Sequence, residues 1–168
     1  MENVNEKTRK SRLITWFALS FIILGLGGWL TSLGLGPWYK AMNFPPFQPP
    51  GWAFTPAWTV ILSLLAIATT DITGSEGYSR PFWMGLALLL YGVQFVLNAG
   101  WSLLFFSVQR PDYALVEIAI LNLVFVAMIF TYSKISKKAA LYLVPYLAWL
   151  LFATAINWWV VAHNPAFG

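Results

Sequence analysis

Five apolar segments, each free of lysine and arginine, occupy most of this 168-residue chain and leave few folds open to it. They run approximately over residues 13–35, 54–70, 82–108, 113–132 and 139–162. A helix needs about 20 apolar residues to cross roughly 30 Å of hydrocarbon. Lipid offers no partner to an unpaired peptide group, so each segment predicts one membrane-spanning helix. Proline and charge write the breaks: Gly36-Pro37 and the proline-rich stretch after it, residues 71–81, Arg110-Pro111-Asp112, and residues 133–138. Charged residues make up 10% of the chain, where a soluble domain carries about 25%. The expected fold class is therefore an all-α integral membrane protein, a single five-transmembrane-helix bundle over 13–162. Residues 1–12 and 163–168 are its tails, and residues 36–53 form a Pro- and Trp-rich loop. The first apolar stretch exceeds a signal-peptide h-region and no A-x-A-like site follows it, so it reads as a retained anchor.

The ten basic residues set an expected orientation. With five spans, the N-terminus and the second and fourth loops share one side, which holds Lys7, Arg9, Lys10, Arg12, Arg80, Lys134, Lys137 and Lys138. Only Lys40 and Arg110 fall on the other. This imbalance predicts a cytoplasmic N-terminus and an extracytoplasmic C-terminus. The net charge of +4 sits at span ends and not on one soluble face, so nucleic acid is not an expected partner; membrane lipid is. Without cysteine, disulfides and thiolate metal sites are excluded, and no metal site is expected.

Polar residues inside a span are costly in lipid and tend to face a cavity or another helix. Gln94, Asn98, Trp101 and Phe105 recur at helical spacing and fall within about 60° on one face of the third span. Tyr146, Trp149, Ala153 and Asn157 form a second stripe on the fifth. Trp52 and Trp58 open the second span, and Glu117 is the one acid inside an apolar run. These groups suit a pocket with aromatic walls, an alanine floor and a few amides. Plainer uses compete: Trp16, Trp38, Trp83, Trp158 and Trp159 fit interfacial anchoring. Gln94 and Asn98, taken alone, fit interhelical bonding better than ligand contact, and Gly28, Ser32 and Gly36 form a small-residue face of the kind that packs helices closely.

Three stretches carry a family resemblance: Pro45-Pro46-Phe47-Gln48-Pro49-Pro50-Gly51-Trp52-Ala53-Phe54-Thr55-Pro56-Ala57-Trp58, then Gln94-Phe95-Val96-Leu97-Asn98-Ala99-Gly100-Trp101, then Pro145-Tyr146-Leu147-Ala148-Trp149-Leu150-Leu151-Phe152-Ala153-Thr154 with Asn157. In order and on the expected spans, they resemble the translocator protein family (tryptophan-rich sensory protein, peripheral benzodiazepine receptor), here a bacterial member. Phe47, Ala99 and Ser102 stand where many members carry Trp, Trp and Pro. The chain lacks the C-terminal Tyr followed by Lys or Arg of the sterol-recognition pattern, so sterol binding is not expected.

The resemblance implies a pocket near the first loop that takes tetrapyrroles such as protoporphyrin IX, the family's other ligands being sterols and benzodiazepine-site drugs. Carried over by position, Tyr39 and Pro49 line the lid. Trp58, Gln94, Asn98, Trp101, Ser102, Phe105, Ile118, Trp149, Ala153 and Asn157 line the cavity. Trp58 and Trp149 are also the candidate catalytic pair, being similar to residues implicated in light-dependent porphyrin breakdown. No cofactor is required; the porphyrin is the ligand. The lone His163 lies beyond the last span, in the interface, and haem-iron chemistry is not expected of it. A homodimer in a bacterial membrane, inner or outer, is a further implication. Three function classes stay open: a receptor or regulator that binds porphyrins, a transporter of such ligands, and a light-dependent porphyrin-degrading enzyme.

Overall fold

A computed structural model describes residues 2–164, and among these every regular element is helical. The five long helices are α1 (Glu2–Ser32), α3 (Phe54–Ile72), α5 (Pro81–Ser102), α6 (Pro111–Ser133) and α7 (Lys137–His163). Two single-turn helices, α2 (Pro37–Lys40) and α4 (Ser75–Tyr78), lie in the connections. All five long helices are long and apolar enough to cross a membrane. They correspond to the five expected segments, and the chain is an integral membrane protein. The helix of the first span extends back through the N-terminal tail as far as Glu2. Of the expected C-terminal tail, 165–168 lie outside the described residues.

Local chemistry sets the helix ends. Proline stands in the first turn of α2, α5 and α6, where its missing N–H costs nothing. Ser136 caps α7 by accepting from the Ala139 N–H at 3.3 Å. Before α6 the chain turns sharply at Gln109, whose φ of 58° is left-handed. Arg110 then donates Nε–H to Asp112 Oδ1 at 2.8 Å and lies over the Tyr113 ring. Asp112 in the first turn of α6 faces the positive end of its dipole. Pro145 sits inside α7 without ending it.

The helices form a ring in the order α1, α3, α7, α6, α5, with α5 closing back on α1. A large apolar core built on Leu62, Leu65, Phe125, Met128, Leu143 and Tyr146 fills the ring toward its basic end, away from the 36–53 loop. A smaller aromatic core around Phe105, Phe106, Ala114 and Val160 lies under the loop, packed with Trp38, Tyr39 and Phe44. Outward-facing side chains are strongly apolar: Leu123 is 70% exposed, Val96 68% and Leu141 68%. Such a surface is a liability in water and ordinary in lipid.

One break in regularity matters for the site. After Ser102 the helix widens into a π-turn over Leu103–Ser107, shown by Val108 N–H donating to Leu103 O at 2.8 Å. A π-turn inserts a residue and rotates the later side chains about the helix axis.

Candidate functional site

Between the two cores lies a cavity of about 350 Å³, toward the end of the bundle that carries the 36–53 loop. Trp58 from α3, Trp101 from α5 and Trp149 from α7 supply three indole walls. Asn98 and Ser102 are its polar wall, Ile118 and Leu121 come from α6, and Ala153 from α7 leaves space beside Trp149. Tyr39 and Gly51 reach it from the loop.

The polar wall is held by bonds between helices. Asn98 donates Nδ2–H to the Tyr146 hydroxyl at 2.6 Å, joining α5 to α7 below the cavity. Trp58 meets the same Tyr146 ring edge-on at 5.7 Å, and Phe125 lies 4.1 Å from it. Trp101 donates Nε1–H to Asn157 Oδ1 at 3.0 Å, while Asn157 donates Nδ2–H to Pro111 O at 2.8 Å. One buried asparagine therefore fixes an indole plane and ties α7 to the first turn of α6. Replacing Asn157 with Leu removes both bonds and leaves the Trp101 N–H unpaired. An interhelical bond in a bilayer is worth about 0.6–1.7 kcal/mol and an orphaned buried group costs about 1–3 kcal/mol. Asn157→Leu is therefore expected to lower stability by about 2 kcal/mol in a detergent–denaturant titration. Unchanged stability would contradict the role assigned to these bonds.

The loop folds over the aromatic core as a lid. Tyr39 lies 4.7 Å from Phe44 and 5.8 Å from Phe106, and its hydroxyl accepts from Gln48 Nε2 at 3.2 Å. Burial raises the Tyr39 phenol pKa above its usual value, so the group stays neutral across the physiological range. Asn164 tethers the loop to the end of α7, accepting from Asn43 N–H at 2.8 Å and donating to Asn43 O at 3.1 Å.

Eight of the expected site residues come together on the cavity wall: Tyr39, Trp58, Asn98, Trp101, Ser102, Ile118, Trp149 and Ala153. Four do not. Phe105 is buried behind Trp101 at 5.2 Å, and Phe106 takes the wall position, because the π-turn breaks the 100° spacing that the third-span stripe assumes. Asn157 is buried behind Trp101. Pro49 is half-buried in the loop without reaching the wall. Gln94 is 0% exposed, one turn beyond the Asn98–Tyr146 bond, and neither of its amide atoms has a hydrogen-bond partner among the described residues. Trp52, expected with Trp58 to open the second span onto the pocket, is 76% exposed and off the wall. It sits in a 3₁₀ turn, Gly51–Ala53, whose three-residue period turns it away from Gly51 and Phe54.

Sequence reasoning missed the α1 contribution: Ile23, Leu24, Gly27, Gly28 and Thr31 all line the cavity. This face lacks the polar stripe that marks α5, and its one signal is the Gly27-Gly28 pair. The small-residue face does not serve close packing as expected, since a Cβ at Gly28 or Gly36 meets nothing within 4 Å among the described residues. Glu117 faces Gly100 of α5, its carboxylate oxygens shielded and without a partner among the described residues. It is not on the cavity wall. Among the described residues no group of three His, Asp or Glu side chains could hold a metal ion.

Comparison with known proteins gives one consistent result. The family model described as TspO/MBR family matches residues 16–162. The chain is 35% identical over 149 residues to the Tryptophan-rich protein TspO of Archaeoglobus fulgidus, covering 87% of this chain and 93% of that one. It is 34% identical over 148 residues to the Translocator protein of Sus scrofa, covering 85% and 86%. With the Tryptophan-rich sensory protein of Cereibacter sphaeroides it shares 31% identity over 127 residues, covering 76% and 77%.

Proposed function

This chain belongs to the TspO/MBR family, and from that premise we propose that it is a membrane receptor or regulator binding porphyrins, protoporphyrin IX foremost, and related flat apolar ligands. The observation that carries the reading is the convergence of Trp58, Trp101 and Trp149 on one cavity. Indole faces stack on an aromatic macrocycle in offset geometry, each contact contributing about 0.5–1.5 kcal/mol beyond burial. Asn98 and Ser102 supply hydrogen-bonding groups toward the ring nitrogens. At about 350 Å³ the space is at the lower end for ligand cavities, so the macrocycle's rim projects through an opening. Its propionates then stay out of hydrocarbon, where a carboxylate is costly.

Receptor, transporter and enzyme make different demands on this site. Transporters of charged substrates usually carry ionisable groups on the transport route, whereas Glu117 lies off the cavity wall. A light-dependent enzyme needs oxidisable rings against the porphyrin, and Trp58 and Trp149 on the cavity wall are the rings that would serve it. Illumination separates the readings. For a receptor, bound protoporphyrin IX is expected to bleach no faster than free porphyrin, followed by its absorbance. Bleaching accelerated by the protein and lost in Trp149→Phe would overturn the receptor reading in favour of the enzyme.

A further inference from the structure

We propose that the cavity is loaded sideways from the bilayer, through a slot between the lid end of α1 and the start of α3, by flat apolar ligands already dissolved in the membrane. This rests on the ligand reading above and adds the route. Four residues of the cavity wall are exposed: Gly28, Leu35, Gly51 and Thr55. Gly28 is in α1, Leu35 in the segment after it, Gly51 in the 3₁₀ turn before α3, and Thr55 at the start of α3. The wall residues contributed by α5, the π-turn, α6 and α7 are buried or half-buried. The wall is therefore open on one side, at one helix pair.

The fold explains why that pair parts. At the basic end α1 is tied to α3 and its following turn, with Trp16 Nε1 donating to Thr73 Oγ1 at 3.1 Å and Arg9 lying 3.7 Å from Asp71. At the lid end α1 is drawn to the opposite neighbour. Ser107 donates Oγ–H to Leu30 O at 3.0 Å, and Gly34 presses against the Phe106 backbone. Pulled toward the π-turn, α1 leaves α3 uncovered there. A Cβ at Gly28 meets nothing within 4 Å among the described residues. Gly28 lies four residues before the end of α1, about 6 Å along the helix. Trp29 beside it is exposed, as an interfacial ring would be. The slot thus reaches from the membrane interface about one turn into the hydrocarbon.

The alternative way in, under the lid, is fastened. Opening it breaks both Asn43–Asn164 bonds and the contacts of Phe47 with Phe152 and Trp159, at 6.2 and 6.1 Å. The lips of the slot carry glycine, leucine and threonine and no charge, which suits the apolar edge of a macrocycle whose propionates stay at the membrane interface.

The chain has no cysteine, so Ser102→Cys places a single thiol on the cavity wall. In proteoliposomes, its alkylation by a bilayer-dissolved maleimide reports passage into the cavity independently of any porphyrin. Thr55→Trp on one lip, or Gly28→Leu on the other, is expected to slow that alkylation at least about tenfold. Asn164→Ala, which loosens the lid, is expected to leave it within about twofold. Unchanged alkylation in both plugged variants, or a tenfold acceleration by Asn164→Ala, would overturn the slot. With protoporphyrin IX in the vesicles, the plugs are expected to slow association and dissociation together. Absence of any porphyrin binding, with the alkylation pattern intact, supports the slot and removes only the porphyrin.

Discussion

Ala153→Trp is expected to abolish most porphyrin binding while leaving the bundle folded. Ala153 lies on the cavity wall one turn beyond Trp149, so an indole built there projects into empty space and not into packed side chains. Overpacking is destabilising where no room exists, and here the room is the ligand's own. Losing one stacking face and most of the free volume corresponds to about 3 kcal/mol, or a roughly hundredfold weaker dissociation constant. Ala153→Gly, which removes only a methyl group, should stay within about threefold, since about 0.6 kcal/mol is already a factor of three. Protoporphyrin titration of the two variants checks this, with thermal unfolding as control. Equal affinity in Ala153→Trp and the wild type would place the ligand elsewhere.

A large effect on stability is expected at Gly34, the close approach beside the cavity. A Cβ there collides with the Phe106 carbonyl oxygen and falls 2.7 Å from its carbon and 2.8 Å from its Cα. These are backbone atoms of the π-turn and cannot swing aside as a flexible side chain would. Gly34→Ala must therefore push α1 away from the π-turn and strain the Ser107–Leu30 bond that fastens them. Overpacking costs about 1–3 kcal/mol and a lost hydrogen bond about 1 kcal/mol, so a loss of about 3 kcal/mol is expected. Phe106 is also cavity wall, so porphyrin affinity should fall with stability. Gly28→Ala is the matched control, because its added methyl meets nothing within 4 Å among the described residues and should not lower stability. Equal stability of Gly34→Ala and the wild type would refute the close approach.

The two glycines show how much of this protein can be read from its sequence. The membrane spans were legible because lipid imposes length and polarity directly on composition. The amide and tryptophan stripe on α5 was legible as far as Trp101, where the helix keeps its regular period. It failed at Phe105, because a π-turn has no strong local signature and shifts every later side chain. The same limit applies to Trp52, displaced by a 3₁₀ turn that reads in the sequence as the start of a helix. Gln94 and Asn157 carry polar side chains at the right spacing, yet burial decides whether such groups face a cavity or brace it. The α1 wall was illegible for the opposite reason. Gly27, Gly28 and the aliphatics beside them have no polarity to mark a cavity face, and only the partner helices reveal that the space beside them is empty.

The porphyrin site is tested most directly by titrating the protein in lipid vesicles with protoporphyrin IX and following tryptophan fluorescence. If the macrocycle lies against Trp58, Trp101 and Trp149, quenching is expected to saturate at about one porphyrin per chain, with a dissociation constant in the micromolar range, about −8 kcal/mol. The response should weaken in Trp149→Phe. Quenching that rises linearly without saturation, unchanged in Trp149→Phe and in Ala153→Trp, would contradict a porphyrin site in this cavity.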